Sequence, residues 1–142
     1  MLMDKEQIKE IIPHREPFLL VDEIESIEEN KIIGIKHVRE DEYYFKGHFP
    51  QKKVMPGVLI VETLAQTGAV AVLSQEKFKG KLAYLGGIKK ARFPHIVVPG
   101  DDLVLTAELQ RMGSRGGTAV CKAVIKESGK TACECEIMFI IG

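Results

Sequence analysis

Two side chains in this sequence are placed to do acid–base chemistry. His48 lies in a Gly47-His48-Phe49-Pro50 turn, and Glu62 interrupts a largely apolar run that follows it. An imidazole titrates near pH 6.5, so it is poised as a base at neutral pH. A carboxyl in an apolar setting is pushed toward its protonated form by desolvation, so it can serve as an acid. Between them stands Met55-Pro56-Gly57, with Pro-Gly where a helix would begin. The free N–H groups and positive dipole end of such a terminus make Gly57 N–H a candidate donor to a developing oxyanion. Each residue also has a bland reading. A lone Glu in an apolar helix can be a satisfied core carboxylate, and a loop His is often structural or solvated.

The elements around these residues are legible from pattern. From Gly57 to about Phe78 there is no proline, and apolar residues fall nearly all round a helix, which predicts a buried one. Its polar exceptions, Glu62, Thr63, Gln66 and Thr67, share one face. Before it, Asp4 to Ile12 predicts a short helix with Asp4 as N-cap, and Phe18 to Ile27 and Lys31 to Val38 predict a strand hairpin. After it, Leu82 to Phe93 predicts a strand interrupted by Gly86-Gly87, a bulge signal. Leu103 to Gln110, Ala119 to Lys126 and Cys133 to Phe139 then alternate apolar and polar residues with period two. Short turns at Pro99-Gly100-Asp101 and Ser128-Gly129 predict an antiparallel meander with one face buried. The expected class is α+β, with the sheet curled around the one long helix and residues 1–142 forming a single domain.

The bulk numbers exclude more than they assign. With 142 residues the chain is long enough for one real core. A formal net charge of +0 gives no ground for a nucleic-acid or membrane partner, and no apolar run approaches the roughly 18 residues of a membrane span. The N-terminal MLMDKEQIKEII has no apolar core of the kind a secretory signal carries, and 3 cysteines, an odd number, fit free thiols in a reducing cytoplasm. Cys133-x-Cys135 with Cys121 reads better as small apolar residues facing a core than as a metal site, and no metal is expected. His37, beside Lys36 on a strand, reads as solvated, and His95 lies in a turn. Lys89, Lys90, Arg92, Arg111 and Arg115 read either as a surface for an acidic partner or as a solvated strand face.

Gly47-His48-Phe49-Pro50, Met55-Pro56-Gly57-Val58-Leu59 and Glu62 with Ala65-Gln66 closely resemble the (3R)-hydroxyacyl-[acyl-carrier-protein] dehydratases of bacterial type II fatty acid synthesis. The likeness extends to Pro13-His14-Arg15, Pro17-Phe18 with Leu19-Leu20-Val21-Asp22, Lys90-Ala91-Arg92-Phe93 and Val98-Pro99-Gly100-Asp101, and so covers essentially the whole chain. The resemblance implies the hot-dog fold, an antiparallel sheet wrapped around one central helix. It implies a hydro-lyase without metal or organic cofactor. In it His48 takes the C2 proton, Glu62 assists the departing C3 hydroxyl, and Gly57 N–H polarises the thioester carbonyl. The carbonyl of Val54 orients the histidine, and Gln66 bonds near the carboxylate. It further implies an acyl carrier protein as substrate donor. The assembly implied is a homodimer or a homohexamer, with His48 and Glu62 of one site on different subunits. The products expected are chains for phospholipid or for the hydroxyacyl groups of an outer-membrane lipid such as lipid A.

Two details refine the comparison. Related dehydratase–isomerases carry Asp where this chain has Glu62, which favours simple dehydration. The family's usual proline is replaced by Lys53, which is expected to alter loop stiffness rather than chemistry. The competing readings are a hot-dog acyl thioesterase, whose members usually lack the Gly-His-Phe-Pro loop, and a non-catalytic acyl-carrier-binding module, which would need His48 or Glu62 missing.

Overall fold

A computed structural model describes residues 1–142. The order is α1 (Lys5–Lys9), β1 (Glu23–Ile27), β2 (Lys31–His37), a 3-10 turn (Tyr43–Lys46) and α2 (Gly57–Leu73). A second 3-10 turn (Glu76–Phe78) precedes β3 (Ala83–Arg92), β4 (Asp102–Gly113), β5 (Gly116–Ile125) and β6 (Thr131–Ile141). The strands form one antiparallel six-stranded sheet in the order β1-β2-β4-β5-β6-β3. Leu103, Leu105 and Ala107 of β4, Ala119, Cys121 and Ala123 of β5, and Cys133, Cys135 and Ile137 of β6 turn one face inward. That face closes on α2, where Ile60, Leu64, Val70 and Val72 are buried on all sides of the helix. Such an all-round apolar helix needs a surface that curves about it, and the twisted sheet supplies it. The three cysteines are free thiols within this core, Cys121 standing opposite Cys135 across β5 and β6.

Two boundaries that differ from the sequence expectation do so for a local reason. Phe18 to Asp22 is not strand. The Leu20 and Val21 N–H groups donate to Gln66 Oε1 at 2.8 and 3.4 Å, so a side chain of α2 takes bonds that a neighbouring strand would have taken. Helix α2 stops at Leu73 rather than near Phe78. The side chains of Ser74 and Gln75 turn back to the Ala71 carbonyl, and the following 3-10 turn folds Phe78 into the core. At Gly86, where the glycine pair predicts a bulge, the pairing of β3 with β6 does slip between Leu85 and Gly87. A Cβ there would sit 3.0 Å from Ile140 Cδ1, so glycine permits the close strand approach.

His37 is not a simply solvated side chain. Its Nδ1 lies 2.7 Å from Asp102 Oδ1 and its Nε2 2.8 Å from Glu23 Oε2, so the ring clasps carboxylates of β4 and β1 from β2. The bond to Asp102, then that to Glu23, raises the His37 pKa above its usual value. A raised native value stabilises the fold fully below about pH 6.5, and that contribution disappears as pH climbs through the native pKa. The His37→Gln variant is therefore expected to lose this part of the pH slope. Urea midpoints of both proteins from about pH 6 to about pH 9 check it, and parallel curves would count against the clasp.

Candidate active site

His48 follows the 3-10 turn directly. Tyr44 and Phe45 of that turn are buried, and the Tyr44 carbonyl accepts the His48 N–H at 3.0 Å. On the far side of the loop the Val54 N–H donates to the His48 carbonyl at 3.1 Å, and the Met55 N–H donates to Val97 at 2.8 Å. The imidazole Nδ1 lies 2.8 Å from the Val54 carbonyl oxygen. A carbonyl can only accept, so Nδ1 carries the proton and Nε2 keeps its lone pair. A base needs this tautomer. Lys53 reaches back to Glu40 at 2.7 Å across the loop base. Both partners are exposed, so the tie is a weak one.

Pro56 opens α2 and its carbonyl accepts the Leu59 and Ile60 N–H groups, while no side chain caps the terminus. The N–H groups of Gly57 and Val58 precede the first helical bond and remain available to an outside acceptor. A Cβ on Gly57 would stand 2.9 Å from Phe93 Cε1, so only glycine lets the aromatic ring close over the helix start. Val58 beside it is 75% exposed, which leaves the terminus open to solvent or to a partner.

Glu62 lies one turn further along α2. Its Oε2 accepts a hydrogen bond from Gln66 Nε2 at 3.0 Å. Gln66 is itself buried and fully used, since Nε2 also donates to the Phe18 carbonyl at 2.7 Å while Oε1 accepts from Leu20 and Val21. The amide thus fixes the carboxylate and the 18–21 segment against each other. The neighbouring threonines do different work: Thr63 and Thr67 are buried and donate to the Leu59 and Thr63 carbonyls of their own helix. The polar face read from the sequence therefore splits, with Glu62 and Gln66 toward a cavity and the threonines toward the core.

That cavity, about 240 Å³, is lined by His14, Phe18, Glu62, Gln66, Tyr84 and Phe139 among others. Its wall is mainly apolar and runs from α2 to β3 and β6, a shape suited to a hydrocarbon chain ending at a carboxyl. His14 Nε2 is 3.7 Å from Glu62 Oε2. Burial lowers the His14 pKa, outweighing the opposite pull of Glu62, so His14 is neutral at pH 7 and gives Glu62 no cation. The sequence marks His14 only within the Pro13-His14-Arg15 likeness, and Tyr84, Leu85 and Phe139 come from strands where alternation marks a face but not what that face lines. His48 is absent from this wall. Its ring stacks instead on Phe49, centroids 4.1 Å apart, and Phe49 is exposed. Within one chain, His48 and Glu62 therefore do not line a common cavity.

Comparison with known proteins places this arrangement. The family model described as a FabA-like domain matches residues 12–136. The chain is 57% identical over 141 residues to a 3-hydroxyacyl-[acyl-carrier-protein] dehydratase FabZ of Clostridium botulinum (strain Okra / Type B1), covering 99% of this chain and 96% of that protein. It is 52% identical over 143 residues to the protein of the same name from Clostridium novyi, covering 100% and 99% of the two chains. Among solved structures, a chain of the dehydratase heterocomplex ApeI:P from Xenorhabdus doucetiae superposes with a TM-score of 0.78 at 17% identity, covering 95% of this chain and 90% of that one. A mutant thioesterase from Pseudomonas aeruginosa superposes at 0.71 and 13% identity, covering 99% and 95%. At these identities the two structures speak to fold alone, and the fold is the hot-dog fold. The family match and the full-length relatives go further: the chain belongs to the FabA-like family, among its 3-hydroxyacyl-[acyl-carrier-protein] dehydratases.

Proposed function

We propose that this protein is a hydro-lyase that dehydrates (3R)-hydroxyacyl-[acyl-carrier-protein] to the trans-2-enoyl thioester during fatty acid elongation. The observation that carries the reading is the bond from His48 Nδ1 to the Val54 carbonyl, which leaves Nε2 as a base on the loop that runs into an uncapped helix terminus. His48 Nε2 takes a proton from C2. The thioester oxygen gains negative charge and is held by the Gly57 N–H. Glu62 gives its proton to the C3 hydroxyl, the C3–O bond breaks, water leaves and the C2–C3 double bond forms. Gln66 holds Glu62 in place. Return of the proton from imidazolium to carboxylate restores both groups, and no redox partner or metal enters the balance.

The working unit in this reading is an oligomer, with each site built from His48 of one subunit and Glu62 of the next. The separation of the two side chains within one chain supports it, as does the edge strand β3, which leaves Tyr84, Leu85 and Ile88 exposed. An unpaired apolar edge is unfavourable in water and invites a second strand. No helix is long and apolar enough to cross a membrane, and a cytoplasmic location goes with an acyl-carrier substrate.

The test separates this reading from thioester hydrolysis by a protein of the same fold. Incubation with a 3-hydroxyacyl thioester is expected to raise the conjugated enone absorbance with no free thiol. Thiol release without enone formation would overturn the proposal.

A further inference from the structure

Lys36 is a lysine near the C-terminal end of β2 with only 3% of its surface exposed. Its Nζ lies 2.7 Å from Glu42 Oε2 and 3.8 Å from Asp22 Oδ2. Asp22 is also buried and is met by Lys5 at 3.0 Å, while its other oxygen accepts the His37 N–H at 2.7 Å. A buried ion pair contributes little net stability over well-packed apolar side chains of the same volume, because desolvation offsets most of the attraction. A methionine at position 36 would fill the same space. Stability therefore gives no reason for charge here, and the reason lies in where Glu42 leads.

Glu42 is the residue before the Tyr43–Lys46 turn, and it is held at both ends. Its Oε2 accepts from the Arg39 N–H at 3.3 Å as well as from Lys36, and its carbonyl accepts the Phe45 N–H at 3.2 Å. The turn then delivers the Tyr44 carbonyl to the Gly47 and His48 N–H groups at 3.3 and 3.0 Å. The loop that carries His48 thus has two roots. One is Met55 on Val97; the other is Glu42 on Lys36. Burial of Tyr44 raises its phenol pKa, and the nearby Glu42 charge adds to it.

We propose that Lys36 and Glu42 are positioning residues for His48: their buried ion pair fixes the near root of the Gly47–Pro50 loop, and through it the aim of the imidazole. The pair touches no substrate. It acts by holding the loop in one conformation, which an apolar contact of the same area would hold less sharply, since ion pairing is directional and hydrophobic packing is not. The inference rests on His48 as the base.

The K36M/E42Q double variant tests it. Both charges go together and chain lengths are kept, so neither an ammonium nor a carboxylate of the pair is left stranded. The variant is expected to fold with a Tm close to wild type. Its kcat for enone formation is expected to fall about tenfold or more with KM changed less than about threefold, because a small misplacement of the base is felt in the transition state. The His48 imidazole signals in a ¹H–¹⁵N spectrum are expected to broaden or double. A folded variant with wild-type kcat and unchanged imidazole signals would overturn the proposal. So would a variant that does not fold, because the pair would then be an element of stability. If the wild type forms no enone, the reading of the site fails, while the imidazole signals still report on the pair.

Discussion

His48→Ala is expected to lower kcat for enone formation by roughly 10²–10⁴-fold, the range that one general base supplies. The fold should survive. His48 is half-buried and its side chain makes one hydrogen bond, to Val54, whose loss costs about 1 kcal/mol. The change in Tm should accordingly be a few degrees for a chain of this size. Circular dichroism and the enone assay on the same sample decide the matter. If His48 were a structural loop residue, stability would fall and turnover per folded molecule would persist. Glu62→Gln should lose activity to a similar degree for a different reason. An amide cannot give up a proton to the C3 hydroxyl, yet it keeps the length and can still pair with Gln66. Wild-type turnover in either variant would remove that residue from its assigned role.

The sequence made the sheet legible because period-two alternation reports directly on a half-buried strand, as in Leu103–Leu109 and Ala119–Ile125. It made α2 legible because a long run without proline, apolar nearly all round and carrying a single charge at Glu62, cannot be exposed. The candidate base and acid were legible from residue type and motif. Less visible were features whose cause lies in tertiary partners. Phe18 to Asp22 has strand-like composition, but Gln66, far along the chain, takes its backbone bonds. His37 looks like a solvated strand residue in a one-dimensional reading, and Lys36 is only its neighbour there. In the fold they meet carboxylates from β1, β4 and the 3-10 turn, which pattern analysis has no means to bring together. The helix end lies earlier than expected for a smaller reason, since Ser74-Gln75-Glu76-Lys77 holds no proline or glycine to mark a stop, while the Ser74 and Gln75 side chains bond the Ala71 carbonyl where the helix ends.

The proposed sharing of each site between two subunits leads to its own strongest test. If every site needs His48 of one subunit and Glu62 of another, each mutant alone is dead in every site of its own oligomer. Mixing H48A with E62Q should restore activity. In a mixed pair with two-fold symmetry, one site collects both defects and the other collects neither. Random re-pairing makes half the dimers mixed, each with one of two sites intact, so the recovered rate should be about a quarter of wild type. Recovery requires exchange of subunits, so the two variants are combined after mild denaturation or by co-expression with distinct tags, and the mixed species is purified. A site complete within one chain gives a different result, since no pairing of two dead subunits can then assemble a working His48 with a working Glu62. The same logic assigns a cost to the β3 edge. Leu85 and Ile88 face solvent in the isolated chain, and Ile88→Lys should hold subunits apart by placing a charge in an apolar contact. The separated chain should keep its six-stranded sheet and its cavity, yet turn over no substrate, because its base would face water and its acid would face an empty wall. Sedimentation velocity and the enone assay, read together over a dilution series, should show activity and the dimer disappearing at the same concentration; a monomer that remained active would end the shared-site reading.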